Sequence, residues 1–294
     1  MCNEAVKVSV IMPTYRQSAL MQKAVRSVLS QTYENIELIL VDDNPDAAFR
    51  ADNAAFVATV ADPRLIYTVN EHNLGSAASR NRGIFMAGGE YITFLDDDDY
   101  YDPRKIEVQL SEMRAAGADV SVCNLTLLDE EGRVVDRRRR KYLRRGEPLL
   151  IAHLKYHITA TDTMMFRADF LRSIGGFGDQ DLGDEFFLMA SALEREPKFH
   201  HADFDGVFAT VHATTGLSSG DNKIRTEEIV YDFVSGYFDR MRPADVRYIK
   251  MRNRSVLATA HRKNRAYLKC LGALIRAFFY HPAGMIRLLV GADR

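Results

Sequence analysis

Apolar and polar positions along the first 116 residues switch between two periods. Val6–Met12 (VKVSVIM) and Ile36–Val41 (IELILV) are short, β-branched runs, the pattern of buried strands. Leu65–Val69 and Tyr91–Leu95 (YITFL) repeat it. Between them the apolar residues recur at helical spacing. Leu20, Met21, Ala24, Val25, Val28 and Leu29 predict a helix over Ser18–Ser30, with Ser18 as N-cap. Further helices are predicted over Ala47–Val60, over Ser76–Met86 with Gly88-Gly89 as its stop, and over Arg104–Ala116 behind Pro103. This alternation predicts an α/β fold, a mostly parallel sheet with helices on both faces.

The second half is less regular. Val120–Leu128 and Arg133–Asp136 predict a hairpin around Asp129-Glu130-Glu131-Gly132, and the basic run Arg137–Lys141 reads as a loop. Thr161–Arg167 and Val207–Val211 are strand candidates, and Glu185–Glu194 is a helix candidate behind a glycine-rich turn. From about Lys223 the pattern is helical, interrupted at Pro243 and Pro282.

Polar clusters fall where the predicted strands end. Pro13, Thr14, Tyr15 and Arg16 follow the first strand, Asp42-Asp43 the second, and Asp96-Asp97-Asp98-Asp99 the fourth. In open parallel sheets, ligands bind beyond the carboxyl ends of the strands, so three clusters converge on one predicted edge. Four consecutive carboxylates repel one another unless some face water or a divalent cation binds. Oxygen ligands alone favour a hard ion such as Mg²⁺ or Mn²⁺. The plainer alternative is a solvated acidic turn, and Asp102 before Pro103 reads as a helix N-cap. Asp42-Asp43 could accept hydrogen bonds from a nucleobase or ribose, or form a turn. Tyr15 could stack on a base or simply pack. Asp184-Glu185 reads equally as a helix start or as a general base. His212 is structural or completes a metal or phosphate site.

Composition narrows the classes. The chain has 294 residues, 47% hydrophobic and 27% charged, which supports a packed core. Its net charge of -1 argues against a nucleic-acid partner. Cys2, Cys123 and Cys270 are far apart, and the reading is a reducing cytoplasm without disulfides or zinc. The N-terminal residues do not have the pattern of a signal peptide, and no window has the length of apolar run that spans a membrane. No GxGxxG, GxxxxGK[ST] or GxSxG occurs, which disfavours dinucleotide enzymes, P-loop ATPases and α/β-hydrolases. Charge is uneven: residues 222–294 carry 15 Lys/Arg against 6 Asp/Glu, whereas residues 1–221 carry 24 against 34. A division follows into an acidic body, 1–221, and a basic helical extension, 222–294. In the extension, Ala273–Val290 mixes apolar residues with Arg276 and Arg287, which suits peripheral contact with an anionic membrane surface, or helix packing and a homodimer interface.

VSVIMPTYRQ, SVLSQTYENIELILVDDNPD and NLGSAASRNRGIFMAGGEYITFLDDDDYYDP resemble the N-terminal half of a family-2 glycosyltransferase of the GT-A fold. FRADFLRSIGGFGDQDLGDEFFLMASALE is similar to that family's acceptor-side segment, and VHATTGLSS to its terminal loop. The resemblance implies a Rossmann-like fold with nucleotide-sugar binding over about 1–105, an acceptor side over 106–221 and a C-terminal helical extension. It implies inverting, non-processive transfer of a sugar from a nucleotide-sugar, a UDP-sugar favoured, with Mg²⁺ or Mn²⁺, to a glycan or lipid-linked acceptor in cell-surface polysaccharide synthesis. By motif position Pro13, Thr14 and Tyr15 frame the base. Asp43 hydrogen-bonds it, with Asp42 beside it. Arg80 flanks the donor phosphates, and Asp96, Asp97 and Asp98 form the Asp-x-Asp element. Asp97 then faces the ribose and donor sugar, and Asp98 holds the metal with His212 as a further contact. The family's Glu-Asp base motif is here Asp184-Glu185; Glu185 takes the base position and Asp184 keeps the chemical identity. That inversion leaves one alternative, a catalytically inactive nucleotide-binding scaffold. The chain has no tryptophan, so the Gln-x-x-Arg-Trp element of processive synthases is absent.

Overall fold

The computed structural model describes residues 6–16, 19–140, 143, 146–180, 182–211 and 220–289. The chain forms two compact units, Met1–Arg139 with Thr159–Val211, and Arg140–Ile158 with His212–Arg294.

The first unit opens with β1 (Val8–Thr14), α1 (Ala19–Leu29), β2 (Ile36–Asp42), α2 (Ala47–Val60), β3 (Leu65–Val69), α3 (Ser76–Met86) and β4 (Tyr91–Phe94). The four strands pair in parallel, with β1 between β2 and β4 and β3 outside β2. Every residue of β2 is buried, as a strand covered on both faces must be. Beneath the sheet Met21, Ala24, Val25 and Val28 of α1 form a buried stripe at helical spacing against Val8, Val10, Met12, Leu38 and Leu40. On the other face α3 approaches β1 closely at Gly83, where a Cβ would lie 2.4 Å from Ile11 Cγ2. Any larger residue there would push α3 off the sheet. The strand β1 runs on through Pro13. Its last pair with β4 is Ile11–Phe94, so the missing Pro13 N–H costs no ladder bond on that side.

The second half adds β5 (Tyr100–Tyr101), α4 (Lys105–Ala116), β6 (Val120–Leu128) and β7 (Val134–Arg138). In the second unit lies α5 (Leu149–Tyr156). The first unit then continues with β8 (Met164–Arg167), α6 (Ala168–Ser173), α7 (Asp184–Glu194) and β9 (Phe199–Thr210). Among the described residues the sheet has nine strands in the order β3-β2-β1-β4-β8-β6-β9-β5, with β7 on β6. Its parallel half turns mixed at β8, which runs antiparallel to both β4 and β6.

Several local expectations are corrected here. Arg137 and Arg138 belong to β7 and not to a loop, while Lys141 lies outside the described residues. Residues Thr161–Thr163 form a 3₁₀ turn, and the strand starts only at Met164. The strand expected at Val207–Val211 is the end of the longer β9. Asp102 accepts from Arg104 N at 2.9 Å, which shapes the turn before α4, and Arg104 itself occupies the N-cap. Ser18 lies outside the described residues.

The second unit contains α5, α8 (Gly220–Ser235), α9 (Pro243–Lys263), α10 (Tyr267–Tyr280) and α11 (Pro282–Leu289). α5 escapes sequence reading because its polar side chains are turned inward. Buried Lys155 pairs with Glu147 and with Asp245 of α9, each at 2.8 Å. Among the described residues no helix is long and apolar enough to cross a membrane.

Candidate active site

The strand-end clusters meet at the carboxyl edge of β1, β2 and β4. Thr14, at the end of β1, donates from Oγ1 to Asp97 Oδ2 at 2.7 Å, and Tyr15 N donates to the same oxygen at 3.0 Å. Burial pushes the Asp97 carboxyl up to about 7, against these hydrogen bonds and with the charges of Asp98 and Asp96 adding to it. Tyr15 is 40% exposed, and the Arg16 guanidinium lies over its ring at 5.0 Å.

The two aspartates after β2 divide their work. Asp42 is fully buried and accepts four hydrogen bonds, from Asn44 N, Asn44 Nδ2, Asn53 Nδ2 and the Tyr67 hydroxyl, at 2.6–2.9 Å. These donors come from the β2–α2 loop, α2 and β3, so Asp42 holds those elements together. Asp43 accepts from Asn70 Nδ2, Leu74 N and Gly75 N at 2.8–2.9 Å, which ties the start of α3 to the crevice.

Arg80 is the centre of the site. It projects from α3 one turn before Gly83, the point of closest approach to β1. Its Nη2 lies 2.5 Å from Asp96 Oδ1, and its Nη1 lies 2.5 Å from Asp184 Oδ2. Burial disfavours its charge, but the two carboxylates outweigh that and hold it fully protonated. Its Nε is buried with no hydrogen-bond partner among the described residues, and the Phe177 ring lies 5.3 Å from the guanidinium.

Two members of the four-aspartate run, Asp96 and Asp99, face charged groups of other elements. Asp96 is paired with Arg80. Asp99 is pushed well above the usual carboxylate range by burial and by the charge of Asp162. Asp162 is itself buried and raised to about 7 by burial and by Asp96, and its Oδ1 accepts from Asp96 N at 2.8 Å. Asp98 is half-buried within the run. Asp162 was not singled out by its sequence pattern; its one signal is a polar Thr-Asp-Thr stretch opening an otherwise apolar strand.

Gly183 adopts a left-handed conformation with φ 75° and ψ 25° as the N-cap of α7, which lets the chain turn sharply into Asp184. Asp184 is buried and committed to Arg80; it accepts also from Ser76 Oγ at 3.4 Å and from Glu185 N at 2.9 Å. Glu185 is half-buried, and burial, followed by the charge of Asp184, pushes its carboxyl up to about 7. The two adjacent acids therefore differ in kind: Asp184 is paired with Arg80, and Glu185 is poised to exchange a proton near neutrality. His212 lies outside the described residues.

Among the described residues no group of three or more His, Cys, Asp or Glu is arranged to hold a metal ion on protein ligands alone. The donor set of the run is entirely carboxylate oxygen. It fits a hard divalent cation that takes one or two carboxylates and completes its shell with water and substrate phosphate.

The chain is 40% identical over 104 residues to the putative colanic acid biosynthesis glycosyl transferase WcaA of Escherichia coli K12, covering 35% of this chain and 37% of that protein. It is 39% identical over 107 residues to WfgD of Escherichia coli, a UDP-Glc:alpha-D-GlcNAc-diphosphoundecaprenol beta-1,3-glucosyltransferase, covering 36% and 40%. The matches thus span about two fifths of the length of these relatives. The fold is similar to that of the mannosyltransferase PcManGT from Pyrobaculum calidifontis, solved with GDP-Man and Mn²⁺. That match has a TM-score of 0.61 at 18% identity and covers 99% of this chain and 80% of that one. The glycosyl transferase family 2 model matches residues 9–175, across the β1, β2 and β4 strand ends that carry Thr14, Asp43 and the four aspartates, and across α3 with Arg80. With the GT-A sheet and its acidic crevice in place, this match assigns the chain to glycosyl transferase family 2.

Proposed function

We propose that the protein transfers a sugar from a nucleotide-sugar to a hydroxyl of a glycan or lipid-linked acceptor in surface-polysaccharide synthesis, with inversion at the anomeric carbon. A UDP-sugar is the favoured donor, because the relative WfgD, 39% identical over 107 residues, is by its name a transferase that uses UDP-Glc. The reaction is placed on the cytoplasmic side, where nucleotide-sugars are made.

The observation that carries this reading is the split between Asp184 and Glu185. Arg80 engages Asp184, which leaves Glu185 beside it as the acid of the two that is pushed up to about 7 by burial and by the charge of Asp184. In this reading Glu185 takes the acceptor hydroxyl's proton as its oxygen attacks the anomeric carbon, while the nucleoside diphosphate leaves from the opposite face. Pro13, Thr14 and Tyr15 frame the base. Asp43 orients the loop at the start of α3 and hydrogen-bonds the base, and Asp42 supports that loop from beneath. Asp97 faces the ribose and donor sugar, and Arg80 keeps Asp96 beside it fixed. Asp98, with His212, would hold a Mg²⁺ or Mn²⁺ ion, which when bound offsets the charge developing on the leaving pyrophosphate.

The test is a thermal-shift panel of nucleotides and nucleotide-sugars with and without Mn²⁺, run on the wild type and on Asp98→Ala. Ligands that bind only the folded state raise its apparent stability. A metal-dependent shift with one UDP-sugar, lost in Asp98→Ala without a change in the unliganded midpoint, is the expected result. Metal-independent binding that survives in Asp98→Ala would remove the metal assignment. Binding without transfer to any acceptor would favour the scaffold.

A further inference from the structure

In the second unit α10 packs on α9 by its small residues. Ala273 and Ala277 are buried, and Ala277 joins Tyr248, Met251 and Met285 in the unit's apolar cluster. The large apolar side chains point the other way. Leu268 is 88% and Phe279 80% exposed, and Leu271, Ile275 and Phe278 extend the same face at helical spacing. On α11, Ile286 is exposed as well, at 59%. Folding alone favours the reverse arrangement, so the face is built for an occupant.

Charge and hydrogen-bonding capacity select that occupant. Lys269, Arg276 and Arg287 are exposed among the apolar residues, and no Asp or Glu occurs between Val246 and Ala292. A second copy would bring the same cations together with no carboxylate on this stretch to pair them. Residues 267–289 also contain no Ser, Thr, Asn or Gln. A protein interface carries about one hydrogen bond per 100–200 Å², and this face could supply little beyond its three cations and two tyrosine hydroxyls. Apolar and aromatic residues flanked by Lys and Arg suit the boundary between lipid headgroups and acyl chains. As no described helix can span a bilayer, the fit is to a helix lying in the plane of the surface.

We propose that the α10–α11 face seats the protein on an anionic phospholipid bilayer. Lys269, Arg276 and Arg287 meet the headgroup phosphates, and Leu268, Phe278 and Phe279 enter the acyl boundary. The proposal rests on the surface of the second unit and is independent of the transferase reading.

The experiment is flotation of the full chain with vesicles of phosphatidylcholine, and with vesicles of phosphatidylcholine and phosphatidylglycerol in equal parts. Oligomeric state is measured in parallel by light scattering. The wild type is expected to float with the anionic vesicles and to be released by salt. Leu268→Ser/Phe279→Ser is expected to weaken partitioning on the order of tenfold or more. Lys269→Glu/Arg276→Glu is expected to weaken it by a similar factor, and it keeps the test open should the apolar variant fold poorly. Thermal midpoints are expected to stay at the wild-type value, since all four side chains are exposed. Failure of the wild type to bind anionic vesicles would overturn the proposal, as would undiminished binding by both variants. A dimer that Leu268→Ser/Phe279→Ser dissolves, without vesicle binding, would make the face a self-interface instead.

Discussion

Arg80 Nη1 lies 2.5 Å from Asp184 Oδ2, a contact that joins α3 to the start of α7 across 104 residues of chain. The same guanidinium holds Asp96 through its other terminal nitrogen. One side chain on a helix locked to β1 at Gly83 therefore sets the positions of the Asp run and of the acid pair.

Replacing Arg80 by Met is expected to leave two partly buried carboxylates unpaired and to lower stability by about 3–5 kcal/mol. Arg80→Lys is expected to recover less than half of that, because a single ammonium cannot present two separate donors to Asp96 and Asp184. Urea unfolding of both variants at neutral pH checks this, and equal stability of Arg80→Lys and wild type would contradict it.

Glu185→Gln is expected to reduce transfer by about 10²–10⁴-fold with donor affinity little changed, as removal of a general base does. The same variant is expected to be more stable than wild type at neutral pH. The Glu185 carboxyl is raised when folded, to about 7 from 4.5, so the folded state binds more protons between those values. Stability from this group is therefore full below 4.5 and falls as pH rises toward 7, which the glutamine removes. Thermal unfolding of both proteins across that range gives the comparison.

Activity is expected to rise with pH through about 7 as Glu185 loses its proton. Asp184→Asn removes the charge that helps to raise Glu185 and is expected to move the limb to lower pH. It also breaks the Arg80 pair and lowers kcat. Initial rates against pH, at saturating donor, separate the two effects.

Thr14→Val removes one of two hydrogen bonds that favour the Asp97 anion. The expected loss is about 1 kcal/mol of donor binding, seen as a roughly fivefold rise in donor KM with kcat nearly unchanged. A fall in kcat alone would place Asp97 in the chemical step and not in donor binding.

Lys105 is fully buried beneath β4, where its Nζ donates to Thr93 Oγ1 at 2.5 Å, and burial lowers its pKa from 10.5 to about 8. The unfolded state then binds more protons between those values, so stability rises with pH from 8 to 10.5. Lys105→Met is expected to flatten that rise and to add about 1–3 kcal/mol at neutral pH. A drop in stability would mean that the bond to Thr93 outweighs the cost of burying the charge.

The parallel half of the sheet and the edge that carries the site follow from the sequence alone. A β-branched run with no polar face, followed by helical spacing, has one compact solution, and its strands must end on the same side. Thr14, Asp43 and Asp96–Asp99 are therefore brought together by period and punctuation, before any contact is known. Short or half-polar elements do not announce themselves in this way. β5 is two residues held by β9, with Tyr100 stacked on Phe208 at 5.1 Å, and α5 hides its Lys155 in pairs with Glu147 and Asp245. The tertiary structure alone decided which acids keep their charge. Asp42 and Asp43 are neighbours in sequence, yet one is saturated by four protein donors and the other faces the crevice loop. Asp99 is pushed toward its neutral form by burial and by Asp162, and Arg80 pairs with Asp184 and not with Glu185. Protonation and pairing depend on separation through space and on the local dielectric, and neither is encoded in the spacing of residues along the chain.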